Sequence, residues 1–596
     1  MRNTFWSNSS AEPLLPTLAR RASEGFNALP RSRFGLLFAT LAALVITATA
    51  ASADPSLQPA ASSPQPPLDT LVVCPAEFRD ALAPWLAYRQ AQGHRIGLLS
   101  NQPDFEQLQA AIRREAKSGQ LKCVLLVGDA DPESKDDAKV RARSVPTTYA
   151  ASKLIARFGG ERTIATDAPY GDLDGDGAAE LAVGRLPVDT PQQLANLVAR
   201  IIAYEKSQDF GLWRRRINLV AGAGDFGPLV DPLIENTARE FLSSGVPAAY
   251  QTTMTYGNWR SPFCPDPRLF GQTALARINQ GCLFWVYMGH SQVCELQPLT
   301  VPGAQYPLLP PEDVRQVASG AGSPIALLFC CYAGAFDARM DCLGETLLCQ
   351  PAGPVAVFAG SRMTMPYGMA TLASEMLDGC FEKHCQTLGE LAARARSESL
   401  RNGEASPRRQ WLDRMASFAS PSRNELPSER QDHALLFNLL GDPLMRIRQP
   451  QPVALTVPPR ATVGDRLEIV GRSPVAGRCV LELVVRRDRL TFTPPVRIDY
   501  DDQEAALAAF TQVYNKANDP RVLTQQINVP VGEFRATFDL PAEAAGACHV
   551  RAYVIGAEDF AAGAADVKVM APPPPVPSAP APPARTAETG GKASQS

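Results

Sequence analysis

Histidine is scarce in this sequence, and neither sign of charge is in excess. The chain has 5 histidines among 596 residues, and its 58 lysines and arginines are balanced by 61 acidic residues, for a net charge of −3. This balance argues against a dedicated nucleic-acid surface. The sequence also shows no tandem repeat. With so few histidines, one that directly follows a predicted strand is a candidate for chemistry.

Apolar runs long enough to span a membrane are lacking as well. The run GLLFATLAALVITATA falls short of the ~20 residues that a spanning helix prefers. It follows several arginines and precedes Ala51-Ser52-Ala53, a pattern typical of a signal peptide over residues 1–53, cleaved near Ala53. An uncleaved anchor is the alternative. We therefore expect a protein that is secreted or held at the cell surface, in a compartment where disulfides persist.

Strands and helices alternate after a Pro-, Ser- and Ala-rich linker over residues 54–67. Short apolar runs such as residues 71–74 and 124–127 predict strands, and residues 82–92 and 105–117 predict helices between them. This alternation predicts an α/β fold with mostly parallel sheets flanked by helices. We divide it into an N-terminal subdomain, residues 68–210, and a catalytic subdomain, residues 211–450.

Two predicted strands end in residues that can carry chemistry. Residues 325–329 are apolar without alternation, typical of a strand covered on both faces, and they lead into Cys330-Cys331 and a small-residue turn. Residues 282–288 form a second such run, which stops at Gly289-His290-Ser291. Ligands of open α/β sheets bind where strands end. A packing cysteine is the alternative for Cys331 alone, but a thiol beside an imidazole is the pair that nucleophilic cysteine catalysis needs.

These motifs carry a resemblance to a known family. A Gly-His pair after one apolar strand and Cys-x-x-Gly-x-Phe after another resemble the gingipain family of cysteine peptidases, within the caspase-like clan. The resemblance covers roughly residues 68–448 and includes LLVGDADP, GDLDGDGAAELAVGRLP and LLGDP. It implies a caspase- or gingipain-like fold and a cysteine endopeptidase that hydrolyses proteins or peptides through an acyl-enzyme. It also selects Cys331 over Cys330, because the nucleophile directly precedes x-x-Gly-x-Phe.

The resemblance implies roles for neighbouring residues. His290 would exchange the thiol proton, Asp225 would orient the imidazole, and the main-chain N–H groups of Gly289, Ser291 and Cys331 would hold the oxyanion. Two departures from the family pattern stand out. Ser291 occupies a position where the family usually has glycine, and residues 361–367 lack the tryptophan expected in the pocket wall of the Arg-specific gingipains. Arginine specificity is therefore not carried over to this chain.

A separate acidic loop predicts a calcium site. Asp172, Asp174 and Asp176 alternate with small or apolar residues and are interleaved with glycines, so that their oxygens can converge on one hard cation. The acid that would close a full EF-hand loop is missing, because Val183 stands there, and Glu180 could substitute from nearer. The expected role of Ca²⁺ is structural, fixing the loop before the next strand. A solvated acidic turn is the alternative.

The composition changes after residue 450. Alternating and apolar segments separated by Pro and Gly turns predict an immunoglobulin-like β-sandwich over residues 451–570. Within it, Cys479 and Cys548 each precede a predicted strand and could form a disulfide in an exported protein. Residues 571–596 form a Pro- and Ala-rich tail that has nothing to bury, either a flexible extension or a spacer for association with the cell surface.

The sequence therefore predicts a secreted cysteine endopeptidase followed by a β-sandwich. The alternative function is a catalytically inactive, calcium-stabilised surface or adhesion protein that keeps the peptidase fold. The change at Ser291 and the altered pocket wall over residues 361–367 favour this alternative, and the presence of both Cys331 and His290 opposes it. A Cys/His zinc site is a weaker reading, because the cysteines near His290 lack paired-ligand spacing.

Overall fold

The computed structural model describes residues 67–222, 245–402 and 406–571. The predicted signal peptide, almost all of the linker and nearly the whole tail lie outside these residues, and so does Asp225. In the described part of the chain, no helix is both long and apolar enough to cross a membrane.

Strands and helices alternate through the first part of the described chain, as the sequence predicts. The elements are β1 (Thr70–Val73), α1 (Arg79–Ala91), β2 (Ile96–Leu99), α2 (Phe105–Ala116), β3 (Cys123–Val127), α3 (Ala138–Arg143), β4 (Thr148–Ala151), β5 (Thr163–Thr166), β6 (Ala182–Leu186) and α4 (Pro191–Lys206). α4 begins with the capping box that its sequence indicates, since the Thr190 hydroxyl accepts a hydrogen bond from the N–H of Gln193 and the Gln193 side-chain carbonyl accepts one from the N–H of Thr190.

The same alternation continues through the part that carries Cys331. The elements are β7 (Arg216–Ala221), β8 (Gln251–Tyr256), α5 (Phe270–Asn279), β9 (Phe284–Met288), β10 (Leu296–Val301), β11 (Ala304–Leu308), α6 (Pro311–Val314), β12 (Ile325–Phe329), α7 (Leu343–Cys349), β13 (Ala356–Gly360), α8 (Pro366–Phe381), α9 (Leu388–Leu400), α10 (Pro407–Ala419), α11 (Leu426–Leu436) and β14 (Phe437–Leu440).

These strands form one ten-stranded sheet in the order β2-β1-β3-β6-β14-β13-β12-β9-β7-β8. Every neighbouring pair is parallel except β13 and β14. β12 is buried along its whole length, as its unbroken apolar run requires. The prediction of an α/β fold with a mostly parallel sheet is confirmed.

β14 joins the two predicted subdomains within this sheet. It pairs with β6 through Leu440 and Arg185, and antiparallel to β13 on its other side. Asp442 follows β14 and is completely buried. Its carboxylate accepts hydrogen bonds from Arg89 at 2.5 Å and from the indole N–H of Trp85 at 2.6 Å. The LLGDP motif therefore fixes helix α1 to the centre of the sheet.

The last part of the described chain folds as two sheets. Its elements are β15 (Gln451–Pro452), β16 (Ala454–Thr456), β17 (Arg460–Thr462), β18 (Arg466–Ser473), β19 (Gly477–Val485), α12 (Glu504–Ala517), β20 (Arg521–Val529), β21 (Gly532–Asp539), β22 (Gly546–Ile555) and β23 (Phe560–Met570). One sheet has the order β15-β23-β22-β19-β20 with β17 beside β23, and the other has the order β16-β18-β21. Both sheets contribute to a shared apolar core, which includes Ile469, Leu481 and Val550.

Helix α12 is a feature that the sequence analysis missed. Leu507, Phe510 and Tyr514 are buried on one face of it. The helix lies against strand β8, an edge of the ten-stranded sheet. The Asn518 side chain accepts a hydrogen bond from the N–H of Met254 at 2.7 Å and donates one to its carbonyl at 2.9 Å. An amide side chain thus takes the place of a neighbouring strand and blocks that edge from further pairing.

The disulfide suggested between Cys479 and Cys548 is wrong for this fold. Both cysteines lie on neighbouring antiparallel strands, but Cys479 stands opposite Val554, whereas Cys548 stands opposite Val485. At the usual rise of about 3.4 Å per residue, this register separates them by roughly 20 Å along the strands. A disulfide requires Cα atoms within about 7 Å.

Glu375 on α8 should make stability depend on pH. Burial raises the pKa of this carboxyl from 4.5 to about 7, against the attraction of Arg409, whose guanidinium is 3.8 Å away. The folded state therefore holds a proton that the unfolded state has lost, and the free energy of unfolding falls as pH rises from about 4.5 to about 7. Glu375→Gln should remove this loss, which is up to about 3 kcal/mol above pH 7.

The measurement is urea unfolding of both proteins at pH 5 and pH 8. The variant should gain stability relative to the native protein at pH 8 and not at pH 5. Glu115→Gln, at an exposed position of α2, should show the same small difference at both pH values. An equal change in the free energy of unfolding in Glu375→Gln at the two pH values would contradict the raised pKa of Glu375.

Candidate active site

His290 and Cys331 follow two strands that are direct neighbours in the sheet. β9 and β12 are parallel, with Met288 beside Phe329 at their carboxyl ends, so the two residues leave the sheet at the same edge. The loop of His290 is fixed through its main chain. The His290 carbonyl accepts a hydrogen bond from the Tyr287 hydroxyl at 2.8 Å and from the N–H of Gln297 at 3.0 Å. The predicted pairing of strand ends is therefore present.

The two adjacent cysteines have different environments. Cys330 is completely buried, and burial raises the pKa of its thiol well above the usual range. Cys331 is partly exposed. Because the thiolate is the reactive form of cysteine, a thiol held protonated in the core is inert. The environment thus favours Cys331 as the nucleophile, in agreement with the motif.

The turn after Cys331 has an unusual backbone. Tyr332 has a φ of +58°, in the left-handed region that residues with side chains rarely adopt. Its N–H donates to the carbonyl of Arg362 at 3.2 Å, and the N–H of Ala333 donates to the carbonyl of Cys331 at 2.7 Å. Backbone strain of this kind persists only where surrounding contacts hold it, and it clusters at active sites.

The Ser291 side chain connects the two loops of the site. Its hydroxyl donates a hydrogen bond to the carbonyl oxygen of Cys331. Ser291, which departs from the family pattern, therefore has its side chain engaged in a hydrogen bond. It joins the loop of His290 to the turn that follows Cys331.

Gly289 has a structural reason to be glycine. A Cβ atom at this position would lie 3.1 Å from the Cα and N atoms of Gly222, at the end of β7. The N–H of Gly289 donates to the carbonyl of Phe329 at 3.4 Å, which extends the sheet. This hydrogen bond engages one of the N–H groups predicted to hold an oxyanion. The other predicted donors are the N–H groups of Ser291 and Cys331.

Asp225, the predicted orienting acid, lies outside the described residues. The described residues break off after Gly222 and resume at residue 245, and the N–H of Gly222 donates to the carbonyl of Met288 at 2.9 Å. The predicted role of Asp225 in orienting His290 rests on the resemblance alone.

The segment after β13 forms the wall next to Cys331. The Thr364 hydroxyl oxygen lies 3.4 Å from the Cys331 Sγ. Arg362 pairs with Asp337 through two hydrogen bonds, at 2.8 and 2.5 Å. The wall is thus ordered by a charged pair and not by the tryptophan whose absence the sequence shows.

His433 behind this wall was missed by the sequence analysis. It is buried, its Nε2 accepts a hydrogen bond from the N–H of Met365 at 2.8 Å, and its Nδ1 lies 2.7 Å from the carbonyl of Glu429. Burial lowers the pKa of the ring. The imidazole is therefore neutral, with its proton on Nδ1. Only the scarcity of histidine could have pointed to it.

The acidic loop brings three of its four predicted ligands together. One carboxylate oxygen from each of Asp172, Asp174 and Asp176 lies within 4.8 Å of the others. Gly175 and Gly177 have φ values of +85° and +91°, which let the loop curl around the Asp172 carboxylate.

Glu180 is not part of this cluster, contrary to the prediction. Its carboxylate accepts a hydrogen bond from the N–H of Leu173 at 2.7 Å and so closes the base of the loop. The prediction used sequence spacing, which does not show the direction in which a side chain turns.

A mostly parallel α/β sheet with a cysteine and a histidine at adjacent strand ends is the arrangement that the sequence predicts for a cysteine peptidase. The model of peptidase family C25 matches residues 63–448, more than half of the chain. The protein belongs to this family, and the resemblance to gingipain-type cysteine peptidases is confirmed.

Relatives in the family are distant in sequence. Lys-gingipain of Porphyromonas gingivalis is 22% identical over 293 residues, which are 47% of this chain and 15% of that protein. Lys-gingipain W83 of the same organism is 23% identical over 295 residues, with the same shares of the two chains. This chain therefore spans only a small part of the length of these curated relatives.

Among solved structures, gingipain R, an Arg-specific cysteine proteinase, is similar at 16% identity with a TM-score of 0.47. That similarity covers 84% of this chain and 97% of gingipain R. The complex of the pro- and mature domains of RgpB from Porphyromonas gingivalis is similar at 15% identity with a TM-score of 0.45, over 84% and 99% of the two chains.

Proposed function

We propose that this protein is a cysteine endopeptidase that hydrolyses proteins or peptides. The observation that carries the proposal is the site at the ends of β9 and β12. There a partly exposed Cys331 lies beside the loop of His290, and the Ser291 hydroxyl joins the two loops. Membership of peptidase family C25 supports the same reaction class.

In the proposed reaction, His290 accepts the thiol proton of Cys331 as Sγ attacks the scissile carbonyl carbon. The tetrahedral intermediate collapses, the peptide C–N bond breaks, and His290 gives the proton to the leaving amine. A water molecule then attacks the thioester, with His290 as the base, and releases the acid product and the thiol. Asp225 would orient the imidazole, as the resemblance implies.

The oxyanion of each tetrahedral intermediate is stabilised by hydrogen-bond donors aimed at it, commonly main-chain N–H groups. We assign them to Ser291 and Cys331. The remaining predicted donor, Gly289, already bonds the carbonyl of Phe329 at 3.4 Å, and it serves the site by letting the chain pass close to Gly222.

Cleavage of a peptide library by the purified full chain tests this function. The native protein should cleave, and Cys331→Ala should lose all detectable cleavage. Cys330→Ala is the matched control, because it removes the neighbouring thiol from the core and should keep most of the activity. Cleavage that survives in Cys331→Ala would contradict the proposal. A folded native protein without cleavage would favour the alternative of a surface protein that keeps the fold.

We propose that the protein is exported by its signal peptide and acts as a secreted or cell-surface enzyme. The two-sheet region is proposed to be an immunoglobulin-like sandwich, and the tail beyond it is a candidate for surface association. Detection of a mature chain that begins near Asp54 outside the cytoplasm would support this localisation. An unprocessed chain found only in the cytoplasm would contradict it.

We also propose that the acidic loop binds one Ca²⁺ ion in a structural role. The convergence of three carboxylate oxygens within 4.8 Å supports this assignment, because hard cations prefer such ligands. Titration calorimetry should detect a single Ca²⁺ site, and Asp174→Asn should weaken its affinity by at least tenfold. Glu180→Gln should have a smaller effect, since Glu180 is not in the cluster. Equal heats in Asp174→Asn and the native protein would contradict the site.

A further inference from the structure

One residue of the wall, Thr364, contacts the sulphur of Cys331 with three groups. The main-chain N–H of Thr364 donates a hydrogen bond to Sγ at 3.3 Å, and the Thr364 hydroxyl oxygen is 3.4 Å from the same atom. The Thr364 carbonyl oxygen lies 3.9 Å from Sγ, where it can accept a hydrogen bond from the thiol. Thr364 is 7% exposed, so little water competes for these contacts.

These contacts differ between the two protonation states of the sulphur. When Cys331 is a thiol, its proton can be donated to the oxygens of Thr364, and the Thr364 hydroxyl can donate to the thioether of Met369, 3.1 Å away. When Cys331 is a thiolate, the hydroxyl and the N–H of Thr364 can both donate to Sγ. Hydrogen bonds to an ionised group are stronger than neutral ones, so this pair of donors favours the thiolate.

The position of Thr364 is fixed from the protein interior. The next residue, Met365, donates its N–H to Nε2 of the buried His433 at 2.8 Å. The imidazole ring is held in turn by the carbonyl of Glu429 at 2.7 Å from Nδ1. A Cβ atom at Gly368 would lie 2.3 Å from this ring, so the helix that follows the wall is packed directly on it. A rigid support of this kind keeps donors aimed at one point.

We propose that Thr364 is a catalytic residue that stabilises the Cys331 thiolate through its hydroxyl and its main-chain N–H. The inference rests on the proposed function, because it assigns the groups that activate the nucleophile of that reaction. Thr364 thus adds hydrogen-bond donors to the Cys-His pair from a third part of the chain, the segment between β13 and α8.

The rate of alkylation by iodoacetamide at neutral pH tests this role without requiring peptide cleavage. The thiolate displaces iodide to form an S–C bond, and mass spectrometry maps the product to Cys331. Thr364→Val removes the hydroxyl at nearly constant volume and should slow alkylation of Cys331 about tenfold, the effect of losing a hydrogen bond to a charged group. Thr364→Ser keeps the hydroxyl and should react at close to the native rate. In the cleavage assay, Thr364→Val should lower kcat and leave KM within about twofold.

Thr371→Val is the matched control. Thr371 lies on α8, is completely buried, and its hydroxyl has no hydrogen-bond partner among the described residues. This variant should alkylate and cleave like the native protein. If Thr364→Val fails to fold, Thr364→Ala removes the same hydroxyl without adding a methyl group, and the same tenfold loss is expected.

The outcomes separate this inference from the proposed function. Unchanged alkylation of Cys331 in the folded Thr364→Val or Thr364→Ala variant would overturn the role of Thr364, whatever the cleavage assay shows. Slower alkylation in a protein that cleaves no peptide would support Thr364 and overturn the peptidase.

Discussion

Replacing His290 by alanine is expected to lower kcat/KM by about 10²–10⁴, the usual contribution of a general acid–base group. The fold should be unaffected, because the loop of His290 is held by main-chain contacts with Tyr287 and Gln297 that do not involve the imidazole. Steady-state cleavage and thermal unfolding of the same preparations are the measurements. The expected result is a large loss of activity at an unchanged melting temperature.

A second histidine provides the control for this prediction. His94→Ala, at a histidine far from the site in the sequence and outside the family's His motif, is the control and should cleave normally. Full activity of His290→Ala would contradict the assigned acid–base role.

Asp442→Ala is expected to destabilise the protein by about 3–5 kcal/mol, the range for breaking a buried ion pair. Asp442 and Arg89 are both completely buried and joined at 2.5 Å. The substitution would also leave the indole N–H of Trp85 without its acceptor. Arg89 would keep Glu205, 2.8 Å away, as its remaining partner. Urea unfolding measures the loss.

The exposed pair of Arg466 and Asp539 provides the control for this prediction. Their side chains are 70% and 82% exposed and lie 3.3 Å apart. Asp539→Ala should cost less than about 1 kcal/mol, because solvent screens such pairs. Similar losses in Asp442→Ala and Asp539→Ala would contradict a central structural role for the LLGDP motif.

The sequence was sufficient where the determining signal is local. The apolar runs of β9 and β12 require burial on both faces, and residues that follow parallel strands leave the sheet at the same edge. The sequence could therefore place Cys331 and His290 at one edge, whereas the structure shows that their two strands are direct neighbours. The capping box of α4 was equally visible, because its two hydrogen bonds lie within four residues.

Features that depend on pairing over long sequence distances could not be predicted. The short run of β14 does not show that it pairs antiparallel to β13 and bridges to β6. Nothing near Cys479 indicates that its partner across the strand is Val554 and not a cysteine. His433 acquires its role only because the chain brings it behind Met365. Helix α12 was missed for another reason. The helical spacing of its buried residues can be seen in the sequence, but the helix lies in a region that was interpreted as a β-sandwich.

Labelling with a peptide-based thiol-reactive electrophile shows whether Cys331 is a nucleophile activated by His290 within a peptide-binding site. Mass spectrometry should find the label on Cys331, excess peptide substrate should protect this residue, and His290→Ala should lose most of the labelling. A label distributed over other cysteines, or equal labelling of Cys331 in His290→Ala and the native protein, would contradict this role of Cys331.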